Sequence, residues 1–114
     1  MVYTPDRGDI VHLEFDPAAG HETKGLHFGL VVSSRAFNKL GLALICPISQ
    51  GVAAARTYGT IVTLMGSGTD TQGAVHCHQV KALDWKVRRA RLKEVVPEFV
   101  MDEVLARLET ILFG

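Results

Sequence analysis

One stretch near the carboxyl end limits what this chain can fold into. From Pro97 onward, Met101, Val104, Leu105, Leu108, Ile111 and Leu112 follow the i, i+3, i+4, i+7 spacing of a helix that is apolar on one side. Pro97 suits the first helical position, where its missing N–H has no intrahelical partner to lose. The spacing predicts an amphipathic helix of about four to five turns, whose apolar stripe must be covered by something else. What precedes it reads as short strands. Asp9 to Phe15 alternates Val11, Leu13 and Phe15 with Ile10, His12 and Glu14, and Phe28 to Val32 and Leu42 to Cys46 are apolar runs, the second closed by Pro47. Ser33-Ser34 offers an N-cap for a helical turn over Arg35 to Leu40, which Gly41 stops. A weaker strand is expected near Thr60 to Leu64, a long one from Gly73 to Leu83, and a short one over Leu92 to Val96. Loops are expected at Ala18 to Gly25 and Ser49 to Thr57, with a turn at Gly66-Ser67-Gly68. Many short strands followed by one helix predict an α+β, mostly β architecture: a small, strongly bent antiparallel barrel with a helix on one side.

The 114 residues carry no internal repeat and no Pro/Ser-rich linker, so residues 1–114 are expected to form a single domain. Twelve Lys and Arg balance twelve Asp and Glu. No global field therefore draws the chain to a polyanion, and any such site has to be a local patch. The apolar runs fall short of the ~18 residues of a membrane span. Met1 to Asp6 lacks the basic-then-apolar pattern of a secretory signal. These features read as a cytoplasmic protein with no membrane partner. Cys46 and Cys77 have neither disulfide-framework nor zinc spacing and read as buried, reduced thiols.

An ordered set of short motifs goes further. Arg7-Gly8-Asp9-Ile10-Val11, Phe15-Asp16-Pro17 and Gly20-His21-Glu22 with Gly25 are followed by Val31-Val32-Ser33, Ala36-Phe37-Asn38 and Pro47-Ile48-Ser49-Gln50-Gly51. Ala55-Arg56-Thr57, Gln79-Val80 and Glu103-Val104-Leu105-Ala106-Arg107-Leu108 complete it. Over residues 7 to 112 this order resembles the MazF/PemK (Kid) toxin family. The resemblance implies an SH3-like barrel, a homodimer, and a toxin of a type II toxin–antitoxin pair. It implies a metal-independent endoribonuclease that needs no cofactor and cleaves single-stranded RNA, such as mRNA, at short sequences. A cognate antitoxin with an acidic, flexible tail is implied as partner.

The departures from the family pattern fall on its catalytic positions. His27 stands where the family usually has an arginine, and His76-Cys77-His78-Gln79 stands where the Kid-like branch has Arg-Cys-Asp-Gln. Ala53-Ala54 replaces an Asn-Phe pair, and Ser49 replaces a threonine while keeping the hydroxyl. RNA cleavage through the 2′-hydroxyl needs a base for that hydroxyl, an acid for the leaving 5′-oxygen and a cation near the phosphoryl oxygens. Arginine supplies a permanent charge and a bidentate fork. Histidine exchanges protons near neutrality but is only partly charged there. On a continuous strand His76 and His78 would share a face, with Cys77 opposite.

Three readings follow. An active ribonuclease would use His21 and His78 for proton transfer and His27 and His76 as phosphate or transition-state contacts, giving a bell-shaped pH dependence around neutrality. Glu22, Ser49, Gln50, Arg56, Gln79 and Lys81 would then bind RNA. Alternatively the site is attenuated or inactive and the protein binds its antitoxin, or poisons a protein target in the manner of gyrase-directed toxins. The third reading is a transition-metal site on His76-x-His78 with His21 or His27; the preferred one has no metal. Among the remaining features, Lys81, Lys86, Arg88, Arg89, Arg91 and Lys93 form the densest basic cluster, either a phosphate or antitoxin patch or an ion-paired surface. Trp85 is expected in the core or a dimer interface rather than as a base-stacking platform, and His12 is expected to be a packing or surface residue.

Overall fold

The computed structural model describes residues 2–15, 26–49 and 59–114. The alternation at the start of the chain forms β1 (Asp9–Glu14), but both of its faces are largely buried. Val11 and Leu13, with Phe15, pack in one cluster with Val31, Ala43, Ile45, Leu83 and Trp85. Ile10 belongs to a second cluster, where Leu30, Cys46, Ile48, Val62 and Val75 meet Val100, Met101 and Val104 of the carboxyl-terminal helix. Period two therefore distributes apolar residues between two cores, leaving His12 and Glu14 at the solvent end.

The other elements are β2 (Leu26–Val31), α1 (Arg35–Asn38), β3 (Leu42–Ser49), β4 (Ile61–Thr63), β5 (Ala74–His76), β6 (Lys81–Asp84), β7 (Arg91–Val95) and α2 (Glu98–Phe113). The strands form an antiparallel sheet in the order β4-β5-β3-β2-β1-β7, with β6 also on β3. The expected mostly β fold with a carboxyl-terminal helix is present, and no ladder closes the sheet among the described residues. Glu94 of β7 bridges part of the gap. Its carboxylate accepts hydrogen bonds from the Asp70 and Thr71 backbone N–H groups (3.0 and 2.7 Å) and the Thr71 hydroxyl (2.6 Å). Burial disfavours its charge, but those donors and neighbouring Lys93 outweigh that and hold the carboxyl below its ordinary value.

Two expectations are corrected. Pro47 does not end β3, which continues to Ser49. Along one edge β3 pairs with β6 as far as Ile45 and with β5 from Ile48. Pro47 lies in the gap between these ladders, where a residue without an N–H is tolerated. The strand expected over Gly73 to Leu83 is broken by a 3₁₀ turn, Cys77–Gln79. The register against β3 moves by three residues across it, the length of the turn. Continuing the β5 register places Cys77 opposite Cys46, and both thiols are buried and unbridged.

Local chemistry fixes the connections. Ser34 caps α1, its hydroxyl accepting from the Phe37 N–H at 3.3 Å. Asn38, fully buried, donates to the Pro5 and Ser33 carbonyls (2.8 and 3.1 Å) and accepts from the Ser33 hydroxyl. Its own carbonyl accepts from the Trp85 indole N–H at 2.9 Å. Trp85 is 6% exposed, so it is core and offers no face to a base. At Gly29 a β-carbon would lie 2.5 Å from Ile45 Cγ2 and 3.0 Å from Phe15 Cζ, so β2 and β3 approach only because that position has no side chain.

Candidate functional site

The end of β3, the start of β2 and the turn after β5 bring together four of the residues singled out in the sequence. Ser49 closes β3, and its Oγ lies 2.8 Å from His76 Nε2 at the end of β5. His76 is 5% exposed, and its Nδ1 has no hydrogen-bond partner. Burial, and then the positive potential of His78, hold its pKa below the ordinary imidazole value, so the ring is neutral at neutral pH. His78 is exposed on the 3₁₀ turn; Thr60 Oγ1 contacts its Nδ1 at 2.7 Å and orients the ring. Partial burial also lowers its pKa.

His76 and His78 are neighbours, with ring centroids 5.7 Å apart. The turn, rather than strand alternation, brings them together. Cys77 points into the core, as the alternation had suggested.

Next to Ser49 lies an open pocket of about 590 Å³ lined by His27, Phe28, Ser49, Asp70, Thr71 and Lys93, among others. His27 enters it from β2, with its ring 6.4 Å from that of Phe15. The Asp70–Thr71 wall is positioned by Glu94. His76 sits behind Ser49 rather than on the pocket wall, and is bonded to the pocket through that hydroxyl. Gln79 and Lys81 are half-buried and do not line this pocket. His21, Glu22, Gln50 and Arg56 lie outside the described residues. Among the described residues no cluster of three or more His, Cys, Asp or Glu side chains is placed to hold a metal ion.

Lys93 of the basic cluster lines the pocket, whereas the sequence offers no local signal for Thr60, Asp70 and Thr71 as parts of this region. The polar run Thr69 to Gly73 reads locally as turn chemistry, and only the hydrogen bonds to Glu94, more than twenty residues away, assign it a wall. Thr60 was expected merely to begin a strand.

An open antiparallel sheet under one terminal helix thus gathers a hydroxyl and imidazoles at one end of β3. The chain belongs to the PemK-like, MazF-like toxins of type II toxin–antitoxin systems, whose family model matches residues 6–112. It is 44% identical over 108 residues to endoribonuclease PemK of Escherichia coli, covering 94% of this chain and 81% of that protein. The crystal structure of MazF (form I) from Deinococcus radiodurans superposes with a TM-score of 0.89 at 35% identity, covering 99% of this chain and 100% of that one. That of MazE-MazF (form II) from the same organism gives 0.82 at 36% identity, covering 97% of each.

Proposed function

We propose that this protein is an endoribonuclease toxin that cleaves single-stranded RNA at short sequences without a metal, by attack of the 2′-hydroxyl on the adjacent phosphate. The observation that carries this reading is the Ser49–His76 contact beside the His27-lined pocket, with the His78 ring next to it. Membership in a family whose relatives are named endoribonucleases supports it.

His21 and His78 exchange the protons, His78 being held for that by Thr60. His27 contacts the phosphate from β2. His76 is neutral and buried, so it acts at the phosphate through the Ser49 hydroxyl and not as a fixed cation. Glu22, Gln50, Arg56, Gln79 and Lys81 complete the RNA contacts, and no cofactor takes part. The protein works as a cytoplasmic homodimer that a cognate antitoxin restrains. The exposed apolar residues Val95 of β7 and Phe99, Ile111 and Leu112 of α2 fit a surface covered by a second copy. The MazE-MazF structure supports the antitoxin partner.

Incubating the protein with a long single-stranded RNA in excess EDTA, from pH 5 to 8.5, tests the reading. Discrete fragments ending in cyclic phosphate, lost in His27→Ala and His78→Ala, are expected. Because the His78 pKa lies below 6.5, one limb of the kcat/KM profile falls below that pH whether His78 is acid or base. A second reading, an attenuated toxin that retains antitoxin binding, is favoured by one observation: His76 carries no charge where the family pattern has arginine. No cleavage at any pH by a folded protein that binds its antitoxin would establish it instead.

A further inference from the structure

The outer face of β2, β1 and β7 carries two further hollows, of about 370 and 380 Å³. The first is lined by His12, Phe28, Arg91 and Lys93 among others, and shares Phe28 and Lys93 with the His27–Ser49 pocket. The second shares His12 and Arg91 with the first and ends at Arg88, Arg89 and Glu14. The three hollows form one path leading away from Ser49.

Register creates this path. Phe28 is opposite His12 across β2 and β1, and His12 is opposite Arg91 across β1 and β7, so the three lie in a row on one face. The His12 and Phe28 rings are 4.9 Å apart and tilted by 44°. Arg88 is already engaged, donating to the Glu14 carbonyl at 3.0 Å. The side chains of Arg89 and Arg91 have no ion-pair or hydrogen-bond partner among the described residues. Arg89 also has φ +55°, the only positive value at a described non-glycine residue. Arg89 thus holds a left-handed turn conformation while its guanidinium has no partner among the described residues. Two guanidiniums without a partner among the described residues, beside a ring platform, match single-stranded nucleic acid, whose phosphates take the cations and whose bases stack on the rings.

We propose that this path is an accessory site for single-stranded RNA flanking the cleaved position. Arg89 and Arg91 hold phosphates, and the His12–Phe28 pair supports a base. The proposal rests on the ribonuclease reading for its ligand but not for its test. An acidic antitoxin segment would satisfy the guanidiniums, yet it makes no use of the ring platform. Glu14 at one end and Asp70 at the other are the carboxylates that line the path, and they define where phosphates are excluded.

The test measures binding of fluorescein-labelled 2′-O-methyl RNA, which cannot be cleaved through its 2′-oxygen, by anisotropy in EDTA at several salt concentrations. Oligomers of about 5 and about 12 nucleotides bracket the extra contacts. The wild type is expected to bind the longer one at least about tenfold more tightly. Arg89→Gly with Arg91→Ala is expected to bind the short one equally well and to lose that gain. Its salt slope for the longer oligomer falls by about 1.4, at roughly 0.7 per phosphate contact on a single strand. Arg89→Gly alone relieves the backbone strain and is expected to melt no lower than the wild type, which separates loss of binding from loss of fold. A wild type indifferent to length, or a double variant that keeps the full gain, overturns the proposal. So does a double variant that loses a glutamate-rich peptide while keeping RNA. Cleavage of ordinary RNA by the wild type is scored in parallel, so a failed ribonuclease reading and a failed accessory site give different results.

Discussion

His76 is buried, and its Nδ1 has no hydrogen-bond partner among the described residues, so a charged ring would be poorly solvated there. Burial, and then the positive potential of His78, lower its pKa accordingly. Between the lowered value and the ordinary 6.5, the unfolded chain binds more protons than the folded one. Stability therefore rises with pH through that window, is fully present above 6.5, and is lost as pH falls through the folded pKa. Urea titrations at pH 7 and pH 5 are expected to show a smaller acid loss for His76→Gln than for the wild type. Equal losses would remove this role. Asn38 is the opposite case, a buried polar side chain with its amide groups satisfied. Asn38→Ala strands the Pro5 carbonyl and the Ser33 hydroxyl, and is expected to destabilise by about 2–4 kcal/mol in urea unfolding. A loss under about 1 kcal/mol would mean water replaces the amide.

Among the elements, β1, β2, α1, β7 and α2 were legible because each rests on local chemistry: a period, a serine cap, a proline at a helix start. The 3₁₀ turn was not. Cys77, Val80 and Leu83 keep an apolar character through it, and the break exists because β3 offers β5 and β6 different registers, which nothing local encodes. Pro47 misled for the same reason, since its missing N–H matters only if a partner faces it. The site was partly legible. The motif order pointed to His27, Ser49, His76 and His78, whereas Thr60 and the Asp70–Thr71 wall depend on contacts between distant segments. Gly29 tests how tightly β2 and β3 are packed. Gly29→Ala puts a methyl group against Ile45 and Phe15, with an expected cost of about 1–3 kcal/mol. A thermal melt unchanged from the wild type would show that Ile45 moves aside freely.

The described residues pack into two cores sharing three strands: Ile10 and Val11, Leu30 and Val31, and Ile45 and Cys46 are adjacent residues that pack on opposite sides. Neither core can open without disturbing the strands of the other, which predicts cooperative unfolding. The probes are built in. Trp85, the one tryptophan, lies in the core without α2, while far-ultraviolet circular dichroism follows α2, whose Val100 and Val104 belong to the other. Coincident denaturation curves from fluorescence and dichroism are expected, and separated midpoints would mean that the cores unfold independently.

The three partners of β3 also set an order of events in folding. Its ladders to β5 and β6 join residues more than twenty positions apart, and such non-local pairings form late. Until they do, Leu42 to Cys46 is an apolar edge able to pair with the same segment of a second unfinished chain. Pro47, which the finished sheet merely tolerates, cannot donate to that wrong ladder. A proline next to that edge removes one donor from such a ladder.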